Sequence, residues 1–133
     1  MYENINSVLN KLNLQVYDIL YVSSAGFANH WEPNFNLLII SALRKIMKGK
    51  TIIMPSFSFD FCDNGVYDIN HSKNYCGSIS ETFRKQTDVA RTLYSPVHNV
   101  CVWGKLQDYF IGKKYSSSFG EDSVFQDERP LNL

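Results

Sequence analysis

Thr51-Ile52-Ile53-Met54-Pro55-Ser56-Phe57-Ser58 is the stretch from which the fold of this chain is read. It is a β-prone, largely apolar strand in which Pro55, lacking an N–H, limits how the far end can pair. Working upstream, Phe35, Leu38, Ile39, Ala42, Leu43, Ile46 and Met47 form a broad helical stripe. Pro33 suits the first turn of that helix. Arg44, Lys45 and Lys48 suit its negative end, and Gly49 is a plausible C′ residue. Asp18 to Ser23 reads as a first strand covered on both faces. Residues 2–13 carry Ile5, Val8, Leu9 and Leu12 on one face of a short helix.

Downstream, residues 59–77 read as a long loop rich in Asp, Asn and Gly; connections of this length are usually functional or disordered. Ser78-Ile79-Ser80-Glu81 matches a capping box opening a helix to about Gln86. Val97 to Trp103 is a third strand ended by Gly104, and Lys105 to Ile111 can form another helix. Ser123-Val124-Phe125-Gln126 is a second capping-box pattern. Strands alternating with helices predict an α/β domain, a layered α/β/α arrangement with helices flanking a mixed sheet. Three strands make that sheet incomplete, so residues 1–133 read as a single, partial domain.

Composition narrows the function classes. The chain has 133 residues, 44% apolar and 20% charged, with 13 basic and 13 acidic residues. This is ordinary globular composition with zero formal net charge, so there is no sequence-wide footprint for nucleic acid or an anionic membrane. No apolar run can span a bilayer, and Met1 to Asn6 lacks the character of a signal peptide. Cys62, Cys76 and Cys101 form no CxxC pair, which fits free thiols in a reducing, cytoplasmic setting. His30, His71 and His98 have no close metal-ligand spacing, so no metal is expected.

Four segments could carry chemistry. Between Met54 and Ser72 lie three aspartates, Asp60, Asp63 and Asp68, and no lysine or arginine. Carboxylates among Phe59, Phe61, Tyr67 and Tyr75 suit a cationic, hydroxyl-rich ligand, because acids pair with ammonium groups and rings cover sugar faces. The same residues also fit a solvated turn with Asx bonds. His98, in Ser95-Pro96-Val97-His98-Asn99-Val100, stands at a strand start, where an imidazole can act as general base or be satisfied by backbone carbonyls. Ser23 and Ser24, in Ser23-Ser24-Ala25-Gly26, follow the first strand and could offer donors to a cofactor or oxyanion, or form a surface turn. Ser116 to Ser123 reads as a turn into a helix cap, and Glu81 as a cap.

In order and spacing, these segments resemble the aminoglycoside 3-N-acetyltransferase family. The resemblance rests on Leu20 to Ser24, Thr51 to Phe61, Gly77 to Arg84, Ser95 to Val100 and Ser118 to Phe125, and runs from about residue 14 to residue 127. It implies an acetyl-CoA-dependent N-acetyltransferase, with antibiotic resistance as one role and nucleotide-linked amino sugars as alternative acceptors. The family histidine falls on His98, which would take a proton from a small-molecule amine as it attacks the thioester. Ser23, Ser24 and, less directly, Ser123 would hold the coenzyme. Asp60, Asp63 and Phe59 would hold the cationic acceptor. Family members are longer, and their second half supplies further strands and an acidic partner for the histidine. This chain therefore reads as a truncated member. The alternatives are an inactive remnant, a homodimer through an exposed sheet edge, or a non-catalytic sugar-binding module.

Overall fold

A computed structural model describes residues 2–24 and 34–127. In chain order the elements are α1 (Tyr2–Lys11), a 3-10 turn (Leu14–Val16), β1 (Ile19–Tyr21), α2 (Phe35–Ile46), β2 (Thr51–Pro55), α3 (Asp60–Asn64), α4 (Ser78–Arg84), β3 (Ala90–Arg91), β4 (Val100–Gly104), α5 (Gln107–Gly112) and α6 (Val124–Asp127). The sheet order is β1-β2-β4-β3. β1 runs parallel to β2, and β2–β4 and β3–β4 are antiparallel, so the sheet is mixed. The parallel β1–β2 pair needs a crossover, which α2 supplies.

Every residue of β2 is buried, as a central strand covered on both faces must be. The pleat sends alternate side chains to opposite layers. Ile52 and Met54 join Ile40, Leu43, Met47, Ile79, Phe83 and Cys101 beneath α2 and α4. Ile53 turns the other way, to Val100, Val102, Phe110, Tyr115 and Val124 on the α5 and α6 side. The expected α/β/α layering is therefore present. Gly104 takes φ +107°, and a Cβ there would lie 2.0 Å from the Lys50 carbonyl oxygen. Arg44, at the end of α2, bonds Asp88 at 2.9 Å while its guanidinium lies over the Trp103 ring at 5.0 Å.

Several local expectations change. A fourth strand, β3, pairs Ala90 with Val102 and Arg91 with Cys101. The first strand is shorter than Asp18 to Ser23. The 59–77 loop contains the helix α3, closed by Gly65 at φ 67°. The capping box at Ser78 does not form: Gly77, at φ 99°, is the N-cap residue. Glu81 instead accepts two hydrogen bonds from Arg84, at 2.8 and 2.6 Å, and pairs with Lys85. The second pattern does act as a cap, since Ser123 Oγ accepts a bond from the Gln126 N–H at 3.3 Å. Pro33 lies outside the described residues. All three cysteines are free thiols. Among the described residues no helix is long and apolar enough to cross a membrane.

Candidate active site

The site forms where three chain segments meet at one end of the sheet. β1 and β2 finish there and β4, being antiparallel, begins there. Ligands in open α/β sheets gather at this end of the strands. The ladder continues past β2, with Ser56 N–H bonded to Asn99 O at 2.9 Å and Ser58 N–H to Val97 O at 3.0 Å. Continuing the Pro55–Val100 register brings Phe57 opposite His98. Because the pleat alternates, His98 points away from the side taken by Asn99.

His98 is half-buried in an aromatic nest. Its ring meets Phe57 edge-on at 4.9 Å, Phe119 at 4.9 Å and Phe59 at 6.3 Å. Phe119 stacks on Phe125 at 5.4 Å, and Phe125 reaches Tyr21 at the end of β1. His98 Nδ1 is buried and has no hydrogen-bond partner among the described residues.

Phe59 leads from the imidazole to the acidic loop. It is 44% exposed, packs on Tyr75 at 5.6 Å, and so joins His98 to the Tyr75–Asp60 pair. Tyr75 Oη donates a hydrogen bond to Asp60 Oδ1. That bond, with the nearby negative charge, pushes the Tyr75 phenol above its ordinary range. Asp63 is exposed on α3 and adds to the negative potential at Tyr75. Lys73 lies over the outer face of Tyr75, its Nζ 4.5 Å from the ring centre. Asp68 is engaged elsewhere: it accepts from the N–H groups of Asn70 and His71, and its carboxylate pairs with the His71 ring.

The serines expected at a coenzyme site occupy different settings. Ser23 is exposed and Ser24 half-buried, just beyond the point where Val22 N–H bonds Ile53 O at 2.9 Å. Ser123 is buried with its hydroxyl engaged in its own turn, donating to Gly120 O at 2.8 Å. Ala25, Gly26 and His30 lie outside the described residues. Among the described residues no group of three or more His, Cys, Asp or Glu could hold a metal ion.

Behind the nest lies a feature sequence reasoning misses. Arg91, on β3, is 5% exposed. Its Nε donates to Asn99 Oδ1 and Ser56 Oγ at 2.7 and 3.0 Å. Its Nη2 donates to Ser56 O and Ser58 Oγ at 2.7 and 2.6 Å, and its Nη1 to Ser72 O at 2.7 Å. The Tyr67 ring covers one face at 5.3 Å. Among the described residues no carboxylate forms a salt bridge with Arg91; its partners are neutral. Burial accordingly pushes the guanidinium down from its usual range.

A family model, aminoglycoside 3-N-acetyltransferase, matches residues 23–130. The chain belongs to that family. No curated protein matches it in sequence. Among solved structures, the YokD protein from Bacillus subtilis is 23% identical with a TM-score of 0.75, covering 92% of this chain and 58% of that one. The apoenzyme of aminoglycoside acetyltransferase AAC(3)-IVa is 25% identical with a TM-score of 0.66, covering 85% and 44%. AAC-IIIb, solved as a binary complex with CoASH, is 16% identical with a TM-score of 0.67, covering 84% and 48%. The chain thus spans about half the length of these solved structures.

Proposed function

We propose that the protein transfers an acetyl group from acetyl-CoA to an amino group of an aminoglycoside or related amino sugar. The observation that carries this reading is the setting of His98: a ring packed among Phe57, Phe59 and Phe119, with Nδ1 buried, linked through Phe59 to the Tyr75–Asp60 pair on the 59–77 loop. Family membership supports the reaction class, and a structural neighbour that holds CoASH supports the acyl donor.

His98 fills the role of general base through Nε2, since Nδ1 is buried. The acceptor nitrogen bonds to the thioester carbonyl carbon, and Nε2 takes the proton it loses. The C–S bond then breaks, and the imidazolium returns that proton to the leaving thiolate. Burial keeps Nδ1 out of reach of the acceptor amine. It is also the atom an acidic partner would engage. Asp60, Asp63 and Phe59 serve the acceptor, pairing with its ammonium groups and covering a sugar face. Ser23 and Ser24 serve the coenzyme side, where hydroxyl and backbone donors can meet the pantetheine arm or the developing oxyanion. Ser123 contributes by anchoring the α6 turn that carries Phe125.

The test is thiol release from acetyl-CoA with a panel of aminoglycosides and amino sugars. Amine-dependent, saturable release with an acetylated product supports the reading. Absence of release with every amine tried ends it.

A further inference from the structure

We infer that Arg91 is a positioning residue. Through a buried hub of neutral acceptors it locks the acidic-aromatic loop and the His98 turn into one geometry. The inference rests on the acetyl-transfer reading for its consequence in turnover, but not for its structural content.

A guanidinium taken out of water without a carboxylate is expensive unless every N–H finds an acceptor. Arg91 meets that demand by reaching three segments distant in sequence. Ser56 and Ser58 lie just past β2. Asn99 is the residue directly after His98. The Ser72 carbonyl lies deep in the 59–77 segment. The hub then branches: Ser58 Oγ donates to Lys73 O at 3.0 Å, Asn99 Nδ2 donates to Pro96 O at 2.8 Å, and Tyr67 Oη donates to Thr92 O at 2.7 Å. One planar fork therefore holds the His98 turn, through the Asn99 side chain and its bond to Pro96, together with the segment that leads to Tyr75. The same loop is tied elsewhere by Arg84 Nη1 donating to Asn70 O at 2.8 Å, by Phe57 N–H donating to Cys76 Sγ at 3.3 Å and by Tyr75 N–H donating to Phe57 O at 3.0 Å, but none of these also reaches the His98 turn, as the Arg91 fork does through Asn99. Lysine cannot replace this fork, because three donors on one nitrogen cannot reach the acceptors that Arg91 meets from three separate nitrogens.

Amide hydrogen exchange on wild type and Arg91→Lys tests the inference. The Ser72 and Tyr75 amides should exchange roughly tenfold or more faster in the variant, while Ile52 to Met54 and Val100 to Val102 stay within about twofold. Unchanged loop amides, or loop and sheet amides accelerating together, would overturn it. Should Arg91→Lys not fold, Ser58→Ala removes one hub acceptor and its bond to Lys73. It should give the same local pattern at smaller amplitude, and a uniform or absent change would again overturn the inference. In turnover, Arg91→Lys should lower kcat on the order of tenfold to a hundredfold while KM for acetyl-CoA holds within about twofold. A rise in the coenzyme KM with kcat intact would contradict positioning. A wild-type chain that acetylates nothing removes the acetyl-transfer reading, while the exchange data still decide the role of Arg91.

Discussion

The His98 ring meets the Phe57 ring edge-on, 4.9 Å between centroids and 77° between planes, because the two residues face each other across the extension of the β2–β4 ladder. His98 is thus held by strand register and not by a free loop. Rings packed in this way restrict an imidazole to few orientations, which helps a group whose two nitrogens must do different things.

The Tyr75–Asp60 bond gives the first prediction. Asp60→Asn removes the negative charge and leaves only a neutral amide oxygen to accept from the phenol, so the Tyr75 ionisation should fall back toward the ordinary value of 10.0. Alkaline absorbance titration of wild type and variant checks this. With an amine acceptor, the same variant should raise the amine KM about tenfold or more, because a charge-assisted bond is lost, and leave the acetyl-CoA KM alone. A variant with unchanged amine KM would remove Asp60 from the acceptor site.

Glycine positions give the second. Gly104→Ala puts a methyl group 2.0 Å from a backbone oxygen at φ +107°. A loss of about 3 kcal/mol or more, or failure to fold, is expected by denaturant unfolding. Gly65→Ala, at φ +67° with nothing within 4 Å of the added carbon, should cost only about 1 kcal/mol. Equal losses at the two positions would contradict the packing described for β4.

Glu81 gives the third, through pH. Hydrogen bonds from Arg84, then the charges of Arg84 and Lys85, hold its carboxyl below the ordinary 4.5. A folded-state value below the unfolded one stabilises the fold above the unfolded value, and that contribution fades as pH falls through the folded value. Glu81→Gln should therefore lower stability at neutral pH by about 1 kcal/mol, for a pair that is partly exposed. The gap should close in thermal melts taken well below pH 4.5. A gap that widens in acid would reverse the assignment.

Much of the layering is legible in the sequence because it depends on local periodicity. The helical stripe from Phe35 to Met47 and the apolar runs at Ile52 and Val100 each bury where their spacing demands. The Phe59-Asp60 segment and His98 can be singled out by residue type, yet their proximity arises from register between segments far apart in sequence. β3 escapes because two residues carry no period, and α3 because it is a single turn within a polar stretch. The Ser78 pattern misleads because Gly77 can adopt φ 99° and take the cap position, freeing Glu81 for Arg84. Arg91 is the largest omission. A lone basic residue between Ala90 and Thr92 gives no local sign that it is buried, and its partners lie up to 35 positions away.

The measurement closest to the central claim compares wild type with His98→Ala in amine-dependent thiol release from acetyl-CoA, alongside their thermal melts. The account predicts a fall in kcat of about 10²–10⁴-fold with the melt little changed, as expected for loss of a general base from a partly exposed site. Equal release by the two proteins would contradict it.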